Sequence, residues 1–259
     1  LFFYETADRR KMPNEIKILS GSEINPFCLG IMHWVGKADR TVSQRRYQIC
    51  RDARIKHFDT AYVHCAGTSE KLLGAFCKKE RDVLLIAIKV GCVGGASKTN
   101  ILTQCDKCQT RLKMNGADAL YLYQFDPETP IDNTLETFTQ LKQSSTIRCV
   151  GISNFSAWQD IDTFDQASAL GLTIGFFQPT CKLIQRQAEV EILPMCTATG
   201  IKVAAYSPLC EGLLKGKYLR GEQGRLVQDD RYALRYKRAF MQDSAKKLCN
   251  LADALQVKP

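Results

Sequence analysis

Val83-Leu84-Leu85-Ile86-Ala87-Ile88-Lys89-Val90 is apolar at every position but one. A short continuous run of this kind, rich in β-branched residues, reads as a strand buried on both faces, as in a parallel sheet layered with helices. Lys89 is the exception, a charge near the carboxyl end of the run. Residues 69–79, just before it, read as a helix burying Leu72, Leu73 and Phe76, and residues 98–114, just after, read as another helix.

The alternation extends in both directions. Toward the amino terminus, residues 56–59 form a short strand, and Val42, Arg46, Ile49 and Cys50 fall at helical spacing with Thr41 placed to cap. Residues 26–32 read as a first strand, preceded by a hairpin over 14–25 that turns at Gly21-Ser22. Toward the carboxyl terminus, strands are expected at 119–125, 148–153, 172–178 and 202–206. Helices are expected around Ile131, Leu135 and Phe138, over 158–170, over 187–199 despite Pro194, and over 238–257. Seven strands alternating with helices favour a (β/α)8 TIM barrel over a doubly wound sheet. No glycine-rich dinucleotide fingerprint follows the first strand, and polar candidates sit at the ends of many strands. No linker-like composition interrupts the pattern, so residues 1–259 are assigned to one domain, with the region of an eighth strand missing at its carboxyl end.

Composition narrows the function classes. Hydrophobic residues at 45% and charged residues at 24% are globular values, which excludes a wholly disordered chain. No apolar run reaches the roughly 20 residues that span a bilayer, and the charged amino-terminal stretch is unlike a secretory signal, so a cytoplasmic protein is expected. The net charge of +9 favours anionic ligands, but the basic residues are scattered rather than blocked and match no nucleic-acid module. Twelve cysteines spread through the expected elements read as thiols rather than as a disulfide framework. Cys105-Asp106-Lys107-Cys108 has CxxC spacing without a second pair or histidines to complete a metal site, and no metal is assigned.

A second stretch carries the chemistry. Ala204-Ala205-Tyr206-Ser207-Pro208-Leu209-Cys210-Glu211-Gly212-Leu213-Leu214-Lys215-Gly216-Lys217-Tyr218 reads as a strand end delivering an aromatic face, a hydroxyl and lysines to a loop. It resembles the seventh strand and following loop of the aldo-keto reductases. The same family is matched, in order, by Cys28-Leu29-Gly30, His57-Phe58-Asp59-Thr60-Ala61 with Ser69-Glu70-Lys71-Leu72-Leu73-Gly74, Ile88-Lys89-Val90, Gly151-Ile152-Ser153-Asn154-Phe155, and Gln178-Pro179 leading to Glu191-Ile192-Leu193-Pro194. The branch it is similar to includes potassium-channel beta subunits and bacterial aldehyde reductases.

The resemblance implies an NADPH-dependent oxidoreductase that reduces an aldehyde or ketone to an alcohol, with a small carbonyl compound as its partner. In that family a tyrosine supplies the proton, a lysine lowers its pKa, an aspartate pairs with the lysine and a histidine orients the carbonyl. Asp59 and Lys89 match the aspartate and lysine. His64 stands in the tyrosine slot, leaving His64 itself as donor, or Tyr62 if the segment is extended and points residues 62 and 64 the same way. An ungapped reading places Asp126 in the histidine slot, and the other alignment leaves that slot empty. The resemblance further assigns Ser153, Asn154 and Gln178 to a nicotinamide carboxamide, Tyr206 to its ring, and Ser207, Pro208, Leu209 and Lys217 to the pyrophosphate. An alternative from another class is a cofactor-binding barrel with impaired catalysis, acting as a sensor or regulatory subunit. Oligomeric state is not legible.

Overall fold

The computed structural model describes residues 26–34 and 39–259. The hairpin expected over 14–25 lies outside them. The chain runs β1 (Cys28–Gly30), α1 (Arg40–Asp52), β2 (His57–Asp59), α2 (Thr68–Phe76), β3 (Leu85–Val90), α3 (Lys98–Leu112), β4 (Ala117–Leu122), α4 (Ile131–Gln143), β5 (Ile147–Ser153), α5 (Ala157–Ala169), β6 (Ile174–Gln178), α6 (Ile192–Thr199) and β7 (Lys202–Val203). It continues through α7 (Arg225–Gln228), α8 (Asp230–Arg235) and α9 (Ala239–Ala254). Two compact units result. The first holds the residues up to Gln178 together with Met195–Ala204, and the second holds Pro179–Pro194 and Ala205–Pro259.

All seven strands of the first unit are parallel and lie in sequence order, β1 to β7. Sequential order is the topology of a (β/α) barrel; a doubly wound sheet would reverse direction at a switch point. No eighth strand follows β7 among the described residues. The sheet is strongly curled. β2 and β6 are four strands apart, which in a flat sheet would separate them by about 19 Å. Yet the Gln178 side chain on β6 donates to Asp59 on β2 at 3.0 Å. Every residue of β3 and β4 is buried, as expected of strands covered on both sides.

Inside the curl, Leu85, Ala87, Ala119, Tyr121 and Phe176 form one apolar cluster. Register explains its composition. Lys89 pairs with Tyr121, Tyr121 with Gly151 and Ser153 with Gln178, so these side chains occupy neighbouring positions on one face. Gly151 is required there: a Cβ at that position would come within 2.5 Å of the Tyr121 ring.

Several local expectations need correction. The cap of α1 is Asp39, whose carboxylate accepts from Val42 N at 2.7 Å, because Thr41 already lies inside the first turn. Residues 187–199 are not one helix. A 3-10 turn over Gln187–Glu189 precedes α6, which places Pro194 in a first turn where its missing N–H costs nothing. β7 is two residues long and ends at Val203. Beyond it, within the second unit, Thr180 and Tyr206 form an isolated parallel bridge. That unit has its own core of Cys210, Leu213, Leu214, Tyr232, Tyr236 and Ala245. All twelve cysteines are free, and Cys105 and Cys108 of the CxxC sequence are buried on α3, where burial pushes the Cys105 thiol up to about 12.

Candidate active site

Asp59 is the last residue of β2 and Lys89 the penultimate residue of β3, so both project at the carboxyl edge of the sheet. They are 6% and 4% exposed. The Lys89 ammonium hydrogen-bonds directly to Asp59 Oδ1 and also reaches the Thr60 carbonyl at 3.3 Å. Gln178, the last residue of β6, donates through Nε2 to Asp59 Oδ2, which leaves its own carboxamide oxygen as an acceptor. Both carboxylate oxygens are thus engaged, the condition under which a buried ion pair persists. The Lys89 ammonium also sits 5.6 Å from the centre of the Tyr121 ring.

Ser153 closes β5. Its hydroxyl donates to the Gln178 carbonyl at 2.8 Å, and it accepts from Asn154 Nδ2 at 3.1 Å. Asn154 has φ 58°, a left-handed conformation that asparagine tolerates better than most residues. From there its Nδ2 also donates to the Tyr123 carbonyl at 2.8 Å. Asp59, Lys89, Ser153, Asn154 and Gln178, five of the residues expected from sequence, therefore form one continuous polar cluster.

His64 opens a 3-10 turn over His64–Gly67. It is buried, and among the described residues no partner reaches its Nδ1. Burial and the Lys89 charge push its imidazole down to about 4, outweighing the upward pull of Asp59. It is neutral near pH 7 and is no histidinium donor. Tyr62 is not on the same side. Residues 62 and 63 turn and residue 64 enters the 3-10 turn, so the alternation of an extended segment does not apply. The Tyr62 ring instead lies 4.7 Å from the Arg111 guanidinium and 5.9 Å from the Lys107 ammonium, both on α3.

Asp126 is likewise not a carbonyl donor. Its Oδ2 accepts from the Thr129 hydroxyl at 2.7 Å and from Ala96 N at 2.8 Å, and its Oδ1 accepts from Glu128 N at 3.1 Å. Led by the Thr129 bond, these contacts hold its carboxyl below the usual carboxylate range. An ionised carboxylate only accepts. Asp126 ties the loop after β4 to the one after β3.

Beside His64 lies Tyr123, which the sequence reading did not single out. Its ring stands edge-on to His64, with centroids 6.3 Å apart and planes at 79°. The alternation of Ala119, Tyr121 and Tyr123 along one face was the available signal.

The remaining candidates belong to the second unit. Tyr206 N donates to the Pro179 carbonyl at 3.0 Å. Ser207 has φ 58° and donates to Glu211 Oε1 at 2.8 Å. Pro208 and Leu209 are exposed. The amides of Cys210, Gly212, Leu213 and Leu214 bond to carbonyls of the same loop, Ser207 to Cys210. Lys217 lies over the Tyr218 ring at 4.8 Å and bonds the Gln223 carbonyl at 3.3 Å.

The Aldo/keto reductase family model matches residues 26–259. The chain belongs to the aldo/keto reductase family. Aflatoxin B1 aldehyde reductase member 2 of Rattus norvegicus is 29% identical over 209 residues, covering 78% of this chain and 57% of that protein. A probable voltage-gated potassium channel subunit beta of Arabidopsis thaliana is 29% identical over 260 residues, covering 92% and 78%. Aldo-keto reductase YhdN of Bacillus subtilis is 29% identical over 203 residues, covering 75% and 60%. The chain thus spans less than two thirds of the rat and Bacillus proteins.

Proposed function

We propose that this chain is an NADPH-dependent oxidoreductase of the cytoplasm that reduces an aldehyde or ketone to an alcohol. The observation that carries the reading is the buried Asp59–Lys89–Gln178 cluster at the carboxyl edge of a sequentially ordered parallel sheet. That edge is where barrels of this kind place their chemistry. Carbonyl reduction builds negative charge on oxygen, and a fixed, water-excluded cation is the group that stabilises it. Asp59 and Gln178 hold the ammonium in place. The aldehyde reductase name of the rat relative points the same way.

Bound NADPH would supply the hydride. Ser153, Asn154 and Gln178 would hold its carboxamide. By resemblance, Tyr206 would take the ring, and Ser207, Pro208, Leu209 and Lys217 the phosphates. No helix among the described residues is long and apolar enough to cross a membrane.

Titrating NADPH with the protein tests this: its fluorescence should change on binding, and an aromatic aldehyde should then consume it. Unchanged fluorescence overturns the proposal. A second reading is a cofactor-binding barrel with slow turnover that serves as a sensor or subunit. It is favoured by the neutral state of His64, since His64, Tyr62 and Asp126 provide no acid in this arrangement. Cofactor binding without aldehyde-dependent oxidation would select it.

A further inference from the structure

The reduction needs a proton at the nascent alkoxide, and none of the groups expected to supply it is placed to do so. We propose that Tyr123 is the proton donor, and that His64 packs against it as a neutral positioning residue. The inference rests on the carbonyl-reductase reading above.

Four observations carry it. First, the backbone of Tyr123 is held on both sides just past the end of β4: its N–H donates to the Val90 carbonyl at 2.8 Å, and its carbonyl accepts from Asn154 Nδ2 at 2.8 Å. Second, Tyr121 is in register with Lys89, and Tyr123 lies two residues on, so alternation turns its side chain to the same face, one step nearer the edge of the sheet. Third, its ring packs against His64 in a T-shaped contact, and Asn154 joins its carbonyl to the Ser153–Gln178 pair that would hold the cofactor amide. Fourth, the Lys89 ammonium lies 5.6 Å from the centre of the Tyr121 ring, which sets a buried cation beside the same face two residues before Tyr123. A cation near a phenol favours its ionised form.

The step balances as written. The carbonyl carbon gains the hydride of a bound reduced nicotinamide, the C–O π pair moves to oxygen, and that oxygen takes the proton of Tyr123 Oη. The two electrons come with the hydride. The tyrosinate left behind is stabilised by the Lys89 charge on the same face and takes a proton back from water.

Two readouts test the proposal, one of them independent of turnover. With tyrosines labelled at the ζ carbon, the resonance lost in Tyr123→Phe should titrate at least about one unit below the ordinary tyrosine value of about 10. Lys89→Met should move it upward. A titration at or above the ordinary value, or one indifferent to Lys89, overturns the assignment. In turnover, Tyr123→Phe should bind NADPH like the parent and lower kcat by about 100-fold or more. Retained kcat with intact NADPH binding overturns this proposal alone, whereas failure to bind NADPH overturns the earlier reading and leaves the titration to decide this one. Should Tyr123→Phe not fold, 3-fluorotyrosine at position 123 makes the phenol more acidic. The alkaline limb of the kcat profile must then move to lower pH, and an unmoved limb counts against Tyr123.

Discussion

Each unit of the molecule buries a lysine against a polar partner, and the two have been handled differently. In the first unit Lys89 meets a carboxylate directly, with Asp59 held on its other side by Gln178. In the second, Lys182 donates to the neutral Tyr236 hydroxyl at 2.7 Å, and that hydroxyl in turn donates to Glu211. Burial lowers the pKa of Lys182, the Glu211 charge only partly restoring it. Lys89 is therefore a fixed charge with its counter-ion in contact, whereas Lys182 is a donor at the end of a relay whose charge is one residue removed. Only in the first arrangement does the ammonium touch its counter-ion. The second joins Pro179–Pro194 to the α8 end of its own unit.

The contrast breaks most visibly on removing each ammonium. Lys89→Met leaves the Asp59 carboxylate buried without its cation and should destabilise by about 3–5 kcal/mol in urea unfolding. A loss under about 1 kcal/mol would mean that Asp59 does not depend on the pair.

Asp160 on α5 sharpens the comparison because it is a buried carboxylate neither of whose oxygens has a hydrogen-bond partner among the described residues. Burial raises its pKa from 3.8 to about 7. The folded state then binds more protons than the unfolded one between those values. Its contribution is most favourable below the lower value and is lost as pH rises through the higher, a swing on the order of 4 kcal/mol. His57 and His64, both pushed down to about 4 chiefly by burial, act in the opposite sense, stability rising with pH from there toward 6.5. The difference between parent and Asp160→Ala stability curves isolates the carboxylate. A difference curve that does not vary with pH would remove Asp160 from the account.

A smaller effect is expected at Gly151, where an added methyl must displace the Tyr121 ring beside Lys89. Gly151→Ala should cost about 1–3 kcal/mol by overpacking. Thermal unfolding reads this, and a neutral substitution would show the ring to be loosely held. Smallest is Lys182→Met, at about 1 kcal/mol, since Tyr236 keeps Glu211 and one hydrogen bond is lost. Because its folded pKa lies below the ordinary 10.5, stability should rise with pH just under that value in the parent and not in the variant. A loss comparable to that of Lys89→Met would erase the distinction between the two clusters.

Much of the architecture was legible in the chain. The strand over 83–90 could be read because every residue but Lys89 wants to leave water, and that same preference made Lys89 conspicuous. Helices such as α4 declared themselves through Ile131, Leu135 and Phe138. Details that depend on one bond were not legible. Asp39 rather than Thr41 caps α1, and Pro194 lies in the first turn of α6 rather than interrupting a longer helix. The placement of Tyr62 beside His64 depended on an extended segment, and the turn at residues 62–64 is set by tertiary contacts that the sequence does not show.

Sequence alone determined that this is an α/β chain of buried parallel strands, and that Asp59 and Lys89 sit at strand ends. Apolar runs and their spacing are local properties, and local preferences suffice to build βα units. Only the tertiary structure decided that Asp59 would meet Gln178 across 119 positions of chain, that His64 would be neutral, and that Tyr123 would pack against it. Those outcomes depend on the curl of the sheet, its register and the exclusion of water, quantities that exist only once distant strands have come together.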